Sequence, residues 1–127
     1  MGIARKVMIV EDELAVMMSV VDTMDDEGFE IVRAYDGKGC IKAIGNGLVP
    51  DLILLDLNLP DIHGFEVYKK LRSIDALKNT KIAAFTAAAT GDITEKIKEL
   101  GFDGLFHKPY DAVKLVSSIK ELLEGKN

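Results

Sequence analysis

The chain has 127 residues and 13.9 kDa, the size of one common domain, and 48% of its residues are hydrophobic, enough for a single core. A formal net charge of −5 and a pI near 5.0 argue against nucleic-acid binding, which needs clustered Lys and Arg; Lys96 and Lys98 lie among acids and read as a solvated helix face. The single cysteine, Cys40, excludes an internal disulfide, and the longest apolar run falls far short of a membrane span.

In chain order, MGIARK lacks an apolar signal core, so a cytoplasmic location is expected. Lys6–Val10 (KVMIV) is short, apolar and β-rich, and predicts a strand. In the following EDELAVMMSVVDTMDDEG, Leu14, Met17, Met18, Val21 and Met24 recur at helical spacings, and Gly28 is a stop signal. Residues 29–33 (FEIVR) predict a second strand. Residues 37–46 carry Cys40, Ile41 and Ile44 at helical spacing, with Asp36 as the expected N-cap and Cys40 as a core filler. The unbroken apolar run of residues 51–56 suits a central parallel strand covered on both faces. Phe65, Tyr68 and Leu71 predict a helix over 65–74, and Lys81–Thr86 (KIAAFT) a fourth strand. Asp92 and Glu95 fit a capping box for a helix whose stripe is Ile93, Ile97 and Leu100. Gly104–His107 is a short fifth strand, and Ala112, Leu115, Val116, Ile119, Leu122 and Leu123 mark a last amphipathic helix. Five strands alternating with five helices predict one α/β domain, a doubly wound parallel sheet with helices on both faces.

Such sheets bind ligands beyond the carboxyl ends of their strands. At that edge fall Glu11 and Asp12 after strand one, Asp56 at the end of strand three, Thr86 at the end of strand four, and Lys108 after strand five. A buried carboxylate without a partner is expensive. Two carboxylates about 4 Å apart repel by roughly 4 kcal/mol at an effective dielectric near 20. Three acids against one lysine must therefore protonate or hold a hard cation. Oxygen donors without His or Cys favour Mg2+, or Mn2+, over zinc. His63 and His107 have no metal-ligand spacing. A cation beside Asp56 would also recruit phosphate, and the Asp56 carboxylate could attack phosphorus to form an acyl phosphate. Catalysis of such a transfer is mainly placement and charge neutralisation, here by the metal, by Lys108 and by the Thr86 hydroxyl.

These residues, in this order, resemble the receiver domain of two-component response regulators. The carriers are VED at 10–12, LLDLNLPDIHG at 54–64, FTA at 85–87 and KP at 108–109, and the match runs from about Lys6 to Leu123. The resemblance implies a flavodoxin-like (βα)5 three-layer sandwich with sheet order 2-1-3-4-5. It implies that Asp56 accepts a phosphoryl group from a phosphohistidine of a sensor histidine kinase or phosphotransfer protein. Asp12 and Asp56 would be direct metal ligands, Glu11 would act through water, and Asn58 would add its backbone carbonyl. Thr86 would be the switch hydroxyl, Lys108 would contact the phosphoryl group, and the Lys108–Pro109 bond would be cis. Gly64 would open the third helix where a larger residue fits poorly. Phosphorylation would bias a surface for a downstream effector, on the face of the last two helices and strand five. No output domain is expected within residues 1–127, and no turnover of an external substrate.

Two departures stand out. The first acid is Glu11 where many relatives carry Asp, and metal binding is expected to survive the change. Position 105 is Leu where the family usually has Tyr or Phe. Strand alternation sends Leu105 and Phe106 to opposite faces, so Phe106 is expected in the core and not as a substitute for that ring. Val16 is expected off the core stripe of the first helix, beside the site, where the family's phosphodonors dock.

Other functions fit less well. DLN at 56–58 faintly resembles the DxD of haloacid-dehalogenase-type phosphatases, but those need a second acid where Asn58 stands and a cap that no insertion here supplies. A flavodoxin wants a Ser/Thr/Gly-rich loop after strand one, and EDELA is acidic. No GxxxxGK is present to cradle ATP phosphates. An inactive pseudo-receiver would lack one of the key side chains, and all are here.

Overall fold

The computed structural model describes residues 4–88 and 90–125. Its elements alternate as expected: β1 (Lys6–Val10), α1 (Leu14–Asp25), β2 (Glu30–Ala34), α2 (Gly37–Gly45), β3 (Leu52–Asp56), α3 (Gly64–Arg72), β4 (Lys81–Thr86), α4 (Gly91–Leu100), β5 (Gly104–His107) and α5 (Ala112–Leu123). All strand pairs are parallel, in the order β2-β1-β3-β4-β5.

Period-2 alternation makes the sheet apolar on both sides. On one face Val7, Ile9, Leu54 and Phe85 pack against Met17, Val20 and Met24 of α1 and Leu115 and Ile119 of α5. On the other, Met8, Val10, Ile53 and Leu55 pack against Cys40 and Ile44 of α2 and Val67, Tyr68 and Leu71 of α3. A smaller cluster joins Ile97 of α4 to Ala84 and Leu57. Every residue of β3 is buried, the burial its unbroken apolar run called for. Cys40 is buried core, and burial pushes its thiol up to about 12.

Local chemistry sets most boundaries. Asp36 caps α2 by accepting from the Gly39 amide at 2.7 Å, as its position predicted. The second strand runs one residue later than 29–33, because the ladder registers Lys6 with Glu30 and leaves Phe29 as a buried core residue before it. The third helix stops at Arg72 and gives way to a single 3-10 turn, Asp75–Leu77. α4 is capped by Thr90, whose hydroxyl accepts from Ile93 N, and not by a box starting at Asp92. Along α1 the core stripe is Met17, Val20, Val21 and Met24. Leu14 and Met18, expected inside, are 59% and 52% exposed. The helix is apolar on more than one side, so two stripes satisfy the same spacing, and the α5 contact selects one of them. Ala112 is likewise exposed, while Val113 beside it is the most exposed large apolar residue described.

At the amino end of the sheet, away from the acids, Arg72 ties the end of α3 to two strand starts. Its Nη2 donates to Asp103 Oδ2 at 2.8 Å and to Thr80 O at 2.9 Å, and Nη1 donates to Leu77 O at 3.1 Å. Asp103 Oδ2 also accepts from Ile82 N at 2.8 Å. Truncating Arg72 strands a half-buried carboxylate and two carbonyls. Arg72→Ala is expected to lower stability by about 2 kcal/mol, read as a shift in the urea midpoint.

Candidate functional site

The site is built where β1, β3 and β4 run out and the chain turns after β5. Beyond β1 the ladder continues by one residue, since Glu11 N donates to Ala34 O at 3.0 Å. That bond keeps Glu11 in the sheet, fully buried, while Asp12 leaves it and is exposed. Asp56 closes β3 at 3% exposure, and its Oδ1 accepts from the Asn58 amide at 3.1 Å. One carboxylate oxygen from each of Glu11, Asp12 and Asp56 lies within 4.8 Å of the others. Thr86 closes β4, fully buried, one residue past Phe85, the register partner of Asp56. Its Oγ1 accepts from Ala88 N at 3.0 Å.

Lys108 reaches in from the turn after β5. Its backbone amide donates to Thr86 O at 3.0 Å, and its bond to Pro109 is cis, as expected. Its Nζ lies 2.5 Å from Glu11 Oε1 and 3.4 Å from Asp56 Oδ1, and sits 5.0 Å from the centroid of the Phe85 ring. The ammonium is thus held by two carboxylates and an aromatic face. The strand ends therefore bring Glu11, Asp12, Asp56 and Lys108 into one cluster, with Thr86 joined to it through the Lys108 amide.

Burial governs the charges. It raises the Glu11 carboxyl above its ordinary value, more than Lys108 and the Glu13 amide lower it. It raises Asp56 in the same way, against the Asn58 amide and Lys108. For Lys108 burial acts downward, but the two carboxylates outweigh it and the ammonium is held above its usual range. One lysine therefore does not satisfy the cluster. Glu11 Oε2 accepts from Glu13 N at 2.9 Å. Glu11 Oε1 is the oxygen paired with the Lys108 ammonium. Three clustered carboxylates against one ammonium, with oxygen donors only, fit a hard divalent cation.

The remaining sequence-named residues fall as follows. Gly64 opens α3. His63 caps that helix, its Nδ1 accepting from Phe65 N at 3.1 Å, and His107 ends β5, exposed. Leu105 packs on the Leu57–Ala84–Ile97 cluster, and Phe106 packs on the opposite face against the core that includes Leu115 and Ile119. Val16 is half-buried against that core rather than exposed, yet it does lie beside the site. With Ala15, Ser19, Lys108, Tyr110 and Ala112 it lines a groove of about 500 Å³. Asp61 lies in the loop between β3 and α3. Its carboxylate accepts from the amides of Gly37 and Lys38 at 2.9 and 2.8 Å, and no local pattern announces a partner so distant in the chain.

The chain is similar to known proteins over nearly its whole length. Residues 7–120 match the description of the response regulator receiver domain. The polar-differentiation response regulator DivK of Brucella anthropi is 33% identical over 119 residues, covering 94% of this chain and 96% of that protein. Sporulation initiation phosphotransferase F of Bacillus subtilis is 29% identical over 123 residues, covering 97% of each. Among solved structures, the chemotaxis response regulator CheY4 of Vibrio cholerae superposes with a TM-score of 0.86 at 28% identity, covering 94% of this chain and 99% of that one.

Proposed function

The chain belongs to the response regulator receiver domain family, a family of signalling phosphoacceptors, and from that premise we propose that Asp56 is its phosphoacceptor. The observation that carries the assignment is the placement of Asp56. It closes the fully buried strand β3, with Lys108 Nζ at 3.4 Å and carboxylate oxygens of Glu11 and Asp12 within 4.8 Å.

The donor is a phosphohistidine on a histidine kinase or a histidine phosphotransfer protein. A carboxylate oxygen of Asp56 forms the bond to phosphorus as the phosphorus–nitrogen bond breaks, and that electron pair returns to the imidazole. The Asn58 amide, already on Oδ1, orients the carboxylate. Lys108 exchanges part of its contact with Glu11 and Asp56 for a phosphoryl oxygen, neutralising charge that spreads over the transferring group. The Thr86 hydroxyl, which accepts from Ala88 N, keeps its proton to donate to a second oxygen. Glu11, Asp12, Asp56 and the Asn58 carbonyl are the groups that would hold Mg2+, with Mn2+ the alternative. When bound there, the ion neutralises the carboxylates and a phosphoryl oxygen. The added negative charge then biases a surface for a downstream effector. The proposed setting is cytoplasmic, with no nucleic acid bound directly; among the described residues no helix is long and apolar enough to cross a membrane.

The test is acyl-phosphate formation with a small phosphoramidate, followed by intact mass. One phosphoryl group is expected per chain with Mg2+, and almost none with chelator. Steady turnover of a phosphate monoester instead would favour an aspartate-nucleophile phosphatase. The pH response follows from the raised carboxyls of Glu11 and Asp56. Metal ligands must be ionised, so Mg2+ affinity is expected to fall as pH drops through those raised values, before an ordinary carboxylate site would weaken. Calorimetric titration between about pH 8 and pH 5 checks this.

A further inference from the structure

The loop of residues 57–63 carries Asn58, and it is fastened at both ends. At its inner end Gly64 N donates to Leu57 O at 2.8 Å. At its outer end Asp61 reaches across to α2. Asp61 Oδ1 accepts from Gly37 N at 2.9 Å and from Ile62 N at 2.9 Å, and Oδ2 accepts from Lys38 N at 2.8 Å. These are charge-assisted bonds to a helix N-terminus, where an anion is favoured. Desolvation alone would raise the Asp61 carboxyl, but the amides outweigh it and hold it below the usual range.

Ordinary capping does not account for Asp61. α2 already has its cap, Asp36, which takes the Gly39 amide. Asp61 takes the two amides before it and comes from a different segment. The approach is also tight. A Cβ on Gly37 would meet Val67 Cγ2 at 3.0 Å, Ile62 Cβ at 3.1 Å and Asp61 Oδ1 at 3.3 Å. The start of α2 is thus seated directly on the loop that follows the acidic strand end.

We propose that Asp61 is a positioning residue, clamping the phosphoacceptor loop to α2 so that the Asn58 amide stays on Asp56 and the Asn58 backbone, whose carbonyl would join the metal ligands, is held in place. The inference rests on the assignment of that site to Mg2+. Released from α2, the loop keeps its inner anchor but loses its outer one, and the Asn58 groups sample other directions.

The test is calorimetric titration of Mg2+ alone into wild type, Asp61→Ala, Asp61→Asn and Arg72→Ala, with amide exchange of Asn58 read by NMR. Outer groups that orient metal ligands are worth about tenfold or more in affinity. Asp61→Ala is therefore expected to raise the Mg2+ dissociation constant about tenfold and to speed Asn58 exchange. Asp61→Asn, which keeps one oxygen acceptor, should fall between. Arg72→Ala loses stability at the other end of the sheet, so its Mg2+ affinity should stay within about twofold of wild type. Unchanged affinity in both Asp61 variants overturns the proposal. Equal weakening in Arg72→Ala also overturns it, because general loosening would then suffice. If Asp61→Ala does not fold, Asp61→Asn decides by the same comparison. Wild type that takes up no Mg2+ sinks the metal assignment itself, a result separate from either of these.

Discussion

Asp56→Asn is expected to abolish phosphorylation, lowering labelling by a small phosphoramidate by more than about a thousandfold. The amide retains the shape of the side chain and its place at the end of β3, but it has no anionic oxygen to offer phosphorus. The neighbouring acids do not replace it. Glu11 is fully buried, with Oε1 against Lys108 and Oε2 on the Glu13 amide. Asp12 is exposed and could collect a trace of label, which peptide mapping would separate from label at position 56. Labelling of the variant at the wild-type rate would remove Asp56 from its role.

The same substitution should strengthen the metal-free protein. Burial raises the Asp56 carboxyl above its unfolded value. A group raised in this way contributes stability that is complete below the unfolded value of 3.8 and is lost as pH climbs through the folded one. At neutral pH the ionised side chain is therefore a burden on the fold, relieved in part by Lys108. Asparagine removes that burden. A gain of about 1–2 kcal/mol is expected near neutrality in chelator, shrinking toward pH 4 as the wild-type carboxyl protonates. Urea unfolding at the two pH values checks both the size and the sign. Function and stability thus pull in opposite directions at one atom.

What could be read in advance was local. The apolar run before Asp56 announced a doubly covered strand, and β3 is buried throughout. Asp36 announced a cap, and the Gly39 amide is on it. Leu105 and Phe106 were sent to opposite faces by a period of two, and they pack there. The site residues were legible because each stands just where a strand ends, so element order alone collects them on one edge. The features that escaped depend on contacts between distant segments. Spacing offered α1 two stripes, and only the α5 contact places Leu14 and Met18 outside. Arg72 meets Asp103 across 31 residues, and Asp61 meets Gly37 across 24, with nothing in either neighbourhood to name the partner. The ion pairing of Lys108 with Glu11, closer than with Asp56, likewise follows from side-chain reach after folding and not from order along the chain.

Gly64→Ala is expected to be the most destabilising small change next to the site. A Cβ there would lie 2.5 Å from Leu57 Cα, 2.8 Å from Asp56 O and 2.8 Å from Leu57 Cδ2. Two of the three are backbone atoms, which cannot rotate aside. The positive-φ glycines are elsewhere, so the requirement at Gly64 is space and not conformational freedom. To admit a methyl group, α3 must retreat from the end of β3 or the Asp56 peptide must shift, and the Gly64 N to Leu57 O bond opens in either case. Overpacking of this kind costs about 3 kcal/mol, and the urea midpoint should fall accordingly with little change in slope. Gly45→Ala is the internal contrast. That glycine ends α2 with nothing within 4 Å of the added carbon, so the helix should gain about 0.5 kcal/mol. A Gly64→Ala protein that unfolds at the wild-type midpoint would mean that α3 does not approach the acidic strand end as closely as these distances require. The support for Asp56 by its own loop would then have to be sought elsewhere.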